Sequence, residues 1–346
     1  MKIEIPDQLK ADVPPTKWGK MLSATPVVMA VIATMLAGLS SSEMTRAQYD
    51  RSLAAQQQSK AGDQWSFFQA QRLKGALQHN SLDLLQSTAG PRLLSAAALK
   101  DTAEQLSAAA GELSAKGNDP AVVKAKTNLL AMLESSAGQQ ALSFLQRGEV
   151  PRAGAAPAVD PNVKAALDAV ESLAPDPEIA AVLARVTDKA LEDTLRAARN
   201  QAQAFDAATK PVNQAVDQLD NLLGRLATSL QATPGFDRTV PLAGVILTRD
   251  FTAARMRYTA ARYEVEARLN QAIANFYELQ VRKSNISAER HHNRSQRFFY
   301  GMLAAQLGVI IATFAIAARQ RNLLWSLAAA AGLLAIAFAV YVYLYV

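Results

Sequence analysis

Two apolar runs close the chain and limit what it can fold into. They cover residues 298–318 and 323–346, and only Arg319-Gln320-Arg321-Asn322 separates them. Each run has about the 20 residues that a helix needs to cross the hydrocarbon core of a bilayer. A connection this short can join only two neighbouring antiparallel spans. The sequence therefore predicts a transmembrane hairpin at this end of the chain.

A third apolar run covers residues 21–41, after a polar tail formed by residues 1–20. It is longer than the apolar region of a typical signal peptide, and no small-residue cleavage site follows it. We therefore expect an uncleaved span, and three spans in all. Basic and aromatic side chains flank the spans, as is usual at a membrane interface. These interface candidates are Lys17, Trp18, Lys20, Arg294, Arg297, Arg319, Arg321 and Trp325.

The composition excludes several classes of site and partner. The 346 residues include no cysteine, which excludes disulfides and thiolate metal sites. Basic residues outnumber acidic ones between Arg249 and Arg297, beside a predicted span. This excess predicts attraction to anionic lipid headgroups. Nucleic-acid binding is not expected, because interleaved aromatic residues and known binding motifs are missing.

The residues between the spans read as helix throughout. We predict a stalk helix over 42–90, an inserted helical domain over 91–248 and a long return stalk helix over 249–297. Apolar residues at alternating spacings of four and three support this, as in packed helical hairpins. The seams are Leu99–Ala103–Leu106–Ala110–Leu113, Ile179–Leu183–Val186–Ala190 and Val212–Val216–Leu219–Leu223–Leu226–Leu230. The expected fold class is all-α, with three transmembrane helices and an extramembrane coiled-coil-like bundle.

Breaks between these helices carry their own signals. Gly90-Pro91 ends the first stalk helix, and Asp-Pro pairs at 119–120, 160–161 and 176–177 predict helix starts with Asp as the N-cap. Residues 233–249 contain Pro234-Gly235 and Pro241, which predicts an irregular connection before a helix that begins near Asp250.

One motif resembles a known family. The segment Gly62-Asp63-Gln64-Trp65-Ser66-Phe67-Phe68-Gln69-Ala70-Gln71, with Gln306–Ala312 and Arg319-Gln320-Arg321, resembles a bacterial three-span membrane family known as domain-of-unknown-function family 4337. The resemblance covers about residues 18–77 and 258–344. It implies an N-terminal span, a long polar helix and a closing two-span hairpin, here with a large helical insertion. That family has no established activity, so the resemblance implies no function.

Small residues spaced four apart predict how the spans pack. Such residues let helix backbones approach closely where lipid provides no hydrophobic driving force. The candidates are Ala30, Thr34 and Gly38 in the first span, Ala304, Gly308 and Ala312 in the second, and Ala331, Ala335 and Ala339 in the third, with Ala328 and Gly332 on a neighbouring line. The alternative is that alanine is merely abundant here. Gln306 lies inside the second span and is expected to form a hydrogen bond across helices.

Four aromatic residues lie at similar distances from the spans. Trp65 and Phe68 share a helix face, and Phe276 and Tyr277 lie on the return helix. We expect them to form an aromatic cluster between the two stalk helices. The alternative is that Trp65 and its neighbours dip into the lipid headgroups.

The sequence contains no recognisable catalytic arrangement. His291 and His292 point about 100° apart on a helix, and Glu289 is the only carboxylate close in sequence. We expect a headgroup or solvent contact there, and the same of His79, rather than a metal site. Ser-His-Asp sets, phosphate loops and paired carboxylates are missing, so we expect no enzyme, no cofactor and no metal.

The sequence best fits a structural role. We expect a scaffold or an accessory or assembly subunit of a membrane complex, binding a protein partner or copies of itself through the helical seams. The alternative is a sensor or regulator that transmits through the stalk helices. A channel or transporter is disfavoured, because the spans carry no charged residue that would mark an ion path.

The charges flanking the spans bear on orientation. Four lysines in the tail and two arginines in the hairpin loop lie on one side, and a similar number of basic residues precede the second span. Charges next to a long translocated domain carry less weight than those in short loops. We therefore expect a multi-pass protein of the bacterial inner (cytoplasmic) membrane, with its helical domain outside the cytoplasm.

Overall fold

A computed structural model describes residues 17–101, 104, 120–152, 154, 158–231, 243–317 and 321–345. All regular elements in this part of the chain are helices, which confirms the all-α prediction. Residues 96–101 form a short helical stretch, and the structure describes eight longer helices besides it. These are α1 (Lys17–Ala89), α2 (Pro120–Glu134), α3 (Ser136–Arg147), α4 (Pro161–Glu171), α5 (Asp176–Leu183), α6 (Asp188–Gln231), α7 (Ala243–Ala317) and α8 (Arg321–Tyr345).

Three helices are long and apolar enough to cross a membrane: α1, α7 and α8. This agrees with the three predicted spans. In α1 the helix continues from the apolar segment through Gly62 to Ala89 without a break. In α7 it runs through Arg297 into the apolar segment.

The chain divides into two compact units. One contains residues 1–58 with 280–346, and the other contains residues 59–279. We call them the membrane unit and the helical unit, and α1 and α7 contribute residues to both. The core of the membrane unit consists of side chains from the three apolar segments. Its fully enclosed members are Met29, Ala33, Leu36, Phe298, Ala305, Ala335 and Val342.

The core of the helical unit forms where α2 and α3 pack on the second half of α6 and the first turns of α7. Leu99, Leu129, Leu145, Phe251 and Tyr258 are among its fully buried side chains. The predicted seam from Val212 to Leu226 is buried in this core, with each of its members at most 4% exposed. Four members of the first seam, Ala103, Leu106, Ala110 and Leu113, lie outside the described residues, as does the side chain of Leu230.

The C-terminal end of α1 is held by α7. Gly90 adopts the left-handed conformation (φ 51°), and its N–H bonds to the Gln86 carbonyl at 3.2 Å. The Arg249 guanidinium donates to the Ala89 carbonyl at 2.6 Å. The Asp250 carboxylate accepts from the Arg92 N–H at 3.0 Å and pairs with Arg249. These bonds satisfy backbone groups that a helix end would otherwise leave without partners.

Two of the predicted helix starts can be examined in detail. Asp160 is an N-cap as predicted, accepting from the N–H groups of Asn162 and Val163 at 2.8 and 3.4 Å. The prediction that Asp176 is an N-cap was wrong by one residue. Pro175 takes that position, because its carbonyl accepts the first helical bonds, from Glu178 and Ile179. Asp176 instead contributes a negative charge to the first turn, where the helix dipole favours it.

Two helix boundaries also differ from the predictions. The seam from Ile179 to Ala190 was assigned to one helix, but α5 ends at Leu183 and α6 begins at Asp188. The Thr187 hydroxyl accepts from the Ala190 N–H at 3.1 Å and so caps the new helix. In the predicted irregular connection, residues 243–249 already belong to α7, and residues 232–242 lie outside the described part.

Tyr258 links α7 to α6 inside the helical unit. Its ring is 1% exposed, and its hydroxyl donates to the Asn213 carboxamide oxygen at 2.8 Å. Burial raises the pKa of Tyr258 to about 12, with Glu266 and Asp217 adding to the rise and Arg262 opposing it. The folded state thus holds the phenol proton more tightly than the unfolded state does.

We predict that Tyr258→Phe lowers the free energy of unfolding by about 0.5–1.5 kcal/mol at pH 7, because one internal hydrogen bond is lost. The stability that Tyr258 contributes by staying protonated is present below pH 10 and is lost as the pH rises toward 12. The difference between native protein and variant should therefore shrink above pH 10. Unfolding of the detergent-solubilised protein, followed by circular dichroism, measures both effects.

Tyr49→Phe is the matched control, because that side chain is 68% exposed and should change neither stability nor its pH dependence. A difference between native protein and Tyr258→Phe that stays constant from pH 8 to pH 11.5 would contradict the buried phenol.

Candidate functional site

Polar contacts join α1 and α7 at the ends of their apolar segments, within the membrane unit. Ser40 and Ser295 exchange hydrogen bonds: each hydroxyl donates to the other residue's carbonyl, at 2.9 and 2.8 Å. The Glu43 carboxylate lies 2.5 Å from the Nδ1 atom of His291. These four residues form what we call the membrane-proximal polar cluster. Ser40 and Glu43 are three apart on one helix, and His291 and Ser295 are four apart on the other, so each pair shares a face.

The membrane-proximal polar cluster is largely shielded from water. The side chains of His291 and Glu43 are 19% and 12% exposed, and Ser295 is buried. The headgroup or solvent contact predicted for His291 was therefore wrong. The error has a clear cause, since Glu43 lies 248 residues away along the chain. One signal could have revealed it: Ser40 and Ser295 each lie within three residues of the end of an apolar run, 21–41 and 298–318 respectively.

A histidine next to a carboxylate can form an ion pair or a neutral hydrogen bond. The neighbouring His292 faces elsewhere, with its Nε2 atom 3.0 Å from the Gln296 amide. Among the residues that the structure describes, no group of three or more His, Cys, Asp or Glu side chains is placed to hold a metal ion.

In the helical unit, α1 and α7 border an open groove of about 450 Å³. Its walls include Phe68, Arg72, His79, Glu264 and Arg268. His79, which was expected to contact solvent, pairs with Glu264 at 3.1 Å, and both side chains are 51% exposed. An ion pair this exposed contributes about 0–1 kcal/mol. The groove therefore has surface ion pairs but no enclosed reactive group.

The four aromatic residues of the predicted cluster occupy two environments. Trp65 and Phe68 form an edge-to-face pair with ring centroids 5.4 Å apart. Phe276 and Tyr277 are buried, and the Arg199 guanidinium lies 5.0 Å from the Tyr277 ring centroid. Within the described residues, no ring pair connects the first two with the last two. An aromatic contact between the stalk helices remains a prediction.

The first span packs through a face next to the predicted one. Ala30, Thr34 and Gly38 lie on the exposed side of α1. The packed side consists of Met29, Ala33 and Leu36, at 3%, 6% and 3% exposure. A flexible methionine, rather than a close backbone approach, makes the contact here. Small residues alone therefore did not identify the packed face.

The other two spans bury most of their predicted small residues. Gly308, Ala312, Ala328 and Gly332 are buried, whereas Ala304 is half-buried beside the fully buried Ala305. The two glycines make room for Met29. A Cβ atom at Gly308 would overlap the Met29 methyl group, and one at Gly332 would lie 2.5 Å from its sulfur.

Gln306 lies on the exposed side of α7. Among the described residues, none forms the cross-helix hydrogen bond that was expected of this carboxamide.

The predicted interface residues are only partly visible. Arg319 and the side chains of Lys17, Trp18, Lys20 and Arg321 lie outside the described residues. The Trp325 indole N–H donates to the Thr25 hydroxyl at 2.9 Å, so this residue joins α8 to α1. Arg294 and Arg297 are half-buried.

We predict that Gly308→Leu lowers the melting temperature of the detergent-solubilised protein strongly, because Met29 leaves no room for a side chain there. Met29→Ala alone opens a cavity and should also destabilise, by about 2–5 kcal/mol. Combining the two should restore part of the loss, since the new leucine can fill the space that the methionine leaves.

Gly38→Leu serves as the control, because a Cβ atom there meets nothing within 4 Å. This packing would be contradicted if the losses in melting temperature simply added in the double variant. It would also be contradicted if Gly38→Leu and Gly308→Leu lowered the melting temperature equally.

Comparison with known proteins agrees with the resemblance seen in the sequence. The family model described as "Domain of unknown function (DUF4337)" matches residues 18–146. The match contains the Trp65 motif and extends into the stretch predicted as an insertion. The C-terminal hairpin lies outside it. No curated protein and no solved structure matches the chain. Over residues 18–146 this chain is therefore similar to a family whose description assigns no activity.

Proposed function

We propose that this protein is a structural membrane protein, a scaffold or an accessory or assembly subunit of a membrane complex. The observation that carries the proposal is the continuity of two helices. α1 and α7 each contain a membrane-length apolar segment and continue beyond it as unbroken helix, for 73 and 75 residues in total. Both helices contribute residues to the membrane unit and to the helical unit.

The surface of the helical unit supports a binding role. Leu93 and Leu173 are 77% and 87% exposed, although they are large and apolar. Leu173 also has a positive φ of 55°, which is unfavourable for a leucine. Each of these side chains offers apolar surface that a protein partner could cover. We expect the protein to have no catalytic activity of its own.

We test the scaffold proposal with a photo-reactive amino acid introduced at Leu93 or Leu173 of the full-length protein in its native cells. We expect irradiation to yield one discrete adduct with a second protein. The matched control is the same amino acid at Glu178, an exposed polar position in α5. If no adduct forms at either leucine and the protein purifies from mild detergent without another protein, the scaffold proposal fails.

A sensor or regulator is the second candidate, and the membrane-proximal polar cluster favours it. The shielded Glu43–His291 contact joins α1 to α7, so its loss can change how these two helices pack. The photo-adduct experiment separates the two roles. A scaffold keeps its adduct when Glu43→Gln weakens this contact, whereas a sensor loses or changes it.

We further propose that the protein lies in a bacterial inner membrane with its helical unit outside the cytoplasm. Because the chain has no native cysteine, single cysteines report their exposure cleanly. We predict that Glu178→Cys reacts with a membrane-impermeant reagent in intact spheroplasts. Gln8→Cys and Gln320→Cys should react only after permeabilisation. The reverse pattern would place the helical unit in the cytoplasm.

A further inference from the structure

One face of α1 in the helical unit carries leucines that no described residue of the chain covers. Leu73, Leu77 and Leu84 are 63%, 55% and 65% exposed. The opposite side of the helix is packed, since Leu82 is buried and a Cβ atom at Gly75 would touch Tyr263 at 3.6 Å. The leucines lie well beyond the apolar run that ends at residue 41, so the lipid core does not cover them.

The uncovered residues follow a heptad pattern. Ala70, Leu77 and Leu84 occupy successive a positions, and Leu73 and Asn80 occupy the d positions between them. This is the spacing with which two helices interlock side chains in a coiled coil. We call these five residues the α1 seam. All of them except Asn80 are apolar, and all five are exposed.

We propose that the α1 seam binds the α1 seam of a second copy of this chain, in a parallel and in-register coiled coil. This inference rests on the proposed function and deepens it, because it names one partner of the helical unit. Copies inserted in the same membrane share one orientation, so their α1 helices run in the same direction. A parallel pairing of the same segment is then available without any rearrangement of the chain.

Asn80 identifies the partner as an identical seam. Its carboxamide is exposed and makes no hydrogen bond within the described residues. A carboxamide both donates and accepts, so Asn80 of one copy can bond to Asn80 of the other when the helices are in register. Because an out-of-register pairing would place the Asn80 carboxamide against leucine and leave its polar groups without partners, this residue favours the in-register pair. A purely apolar partner helix would leave this group buried without a partner.

The residues beside the seam carry no conflicting charges. In a parallel pair, each g position faces the e position five residues further along the other helix. Gln69 then faces Lys74, Ala76 faces Ser81, and Asp83 faces Thr88. No two like charges meet. Two heptads are marginal in free solution, but membrane anchoring confines both copies to one plane and raises their effective concentration.

The absence of native cysteine makes the test direct. We introduce Leu77→Cys or Leu84→Cys into the full-length protein and oxidise native membranes. Both a positions face their counterparts, so we expect disulfide-linked dimers with twice the chain mass. Gln86→Cys is the matched control, because this exposed residue lies on α1 away from the seam and should give little dimer.

The register is tested through Asn80. Adding Asn80→Asp to Leu84→Cys places two carboxylates against each other and should lower the dimer fraction at pH 8 by at least about fivefold. Circular dichroism on the same protein should show unchanged helix content, which separates lost pairing from lost folding.

Three outcomes would overturn the inference: no dimer at either a position, equal dimer at Gln86, or a disulfide-linked species with a different protein. None of these bears on the scaffold proposal, which depends on the photo-adducts at Leu93 and Leu173. A chain that gives those adducts but no seam disulfide keeps its function as a scaffold and loses only this partner.

Discussion

The membrane unit depends on one contact at which all three spans meet. The side chain of Met29 in α1 enters the space that Gly308 in α7 and Gly332 in α8 leave open. In hydrocarbon there is no hydrophobic driving force between helices, so their association depends on shape and dispersion contacts. A thioether chain suits such a space, because it is unbranched and adapts to an irregular gap.

Other contacts of the membrane unit follow from this packing. With α1 beside α7, the serine pair Ser40–Ser295 and the Glu43–His291 contact form at the ends of the apolar segments. With α8 beside α1, the Trp325 indole reaches Thr25. These hydrogen bonds satisfy polar groups that would be costly to leave unpaired near a membrane. They also select the rotation of each helix about its own axis, which dispersion contacts alone specify weakly.

Local signals made much of the fold predictable from sequence. The apolar runs identified the spans, and Gly90 identified the end of α1, because its positive φ suits glycine. Asp160 was predicted as an N-cap from its residue type and from the proline that follows it. The seam from Val212 to Leu226 was visible because burial on one helix face imposes its own spacing. Each of these depends on residues that are close together in the chain.

The candidate site was harder to predict, because it depends on contacts between distant residues. Nothing in the sequence around Glu43 or His291 indicates that they pair, because the contact forms only when α1 and α7 lie side by side. The small residues Ala30, Thr34 and Gly38 satisfied a general rule for packing, yet the neighbouring face with Met29 was used. A helix offers several faces with small residues, and only the shape of its neighbours decides among them.

The spacing of the buried residues in the spans has a geometric consequence. In α8 the buried Ala328, Gly332 and Ala335, the half-buried Ala339 and the buried Val342 recur at alternating spacings of four and three residues, which average about 3.5. A straight α-helix needs 3.6 residues per turn, so such a stripe drifts by about 20° per heptad. Contact can persist along the spans only if they wind around one another with a left-handed twist. The lipid-facing surface then spirals as well, so the residues that meet lipid in one leaflet lie on a different side of each helix from those in the other.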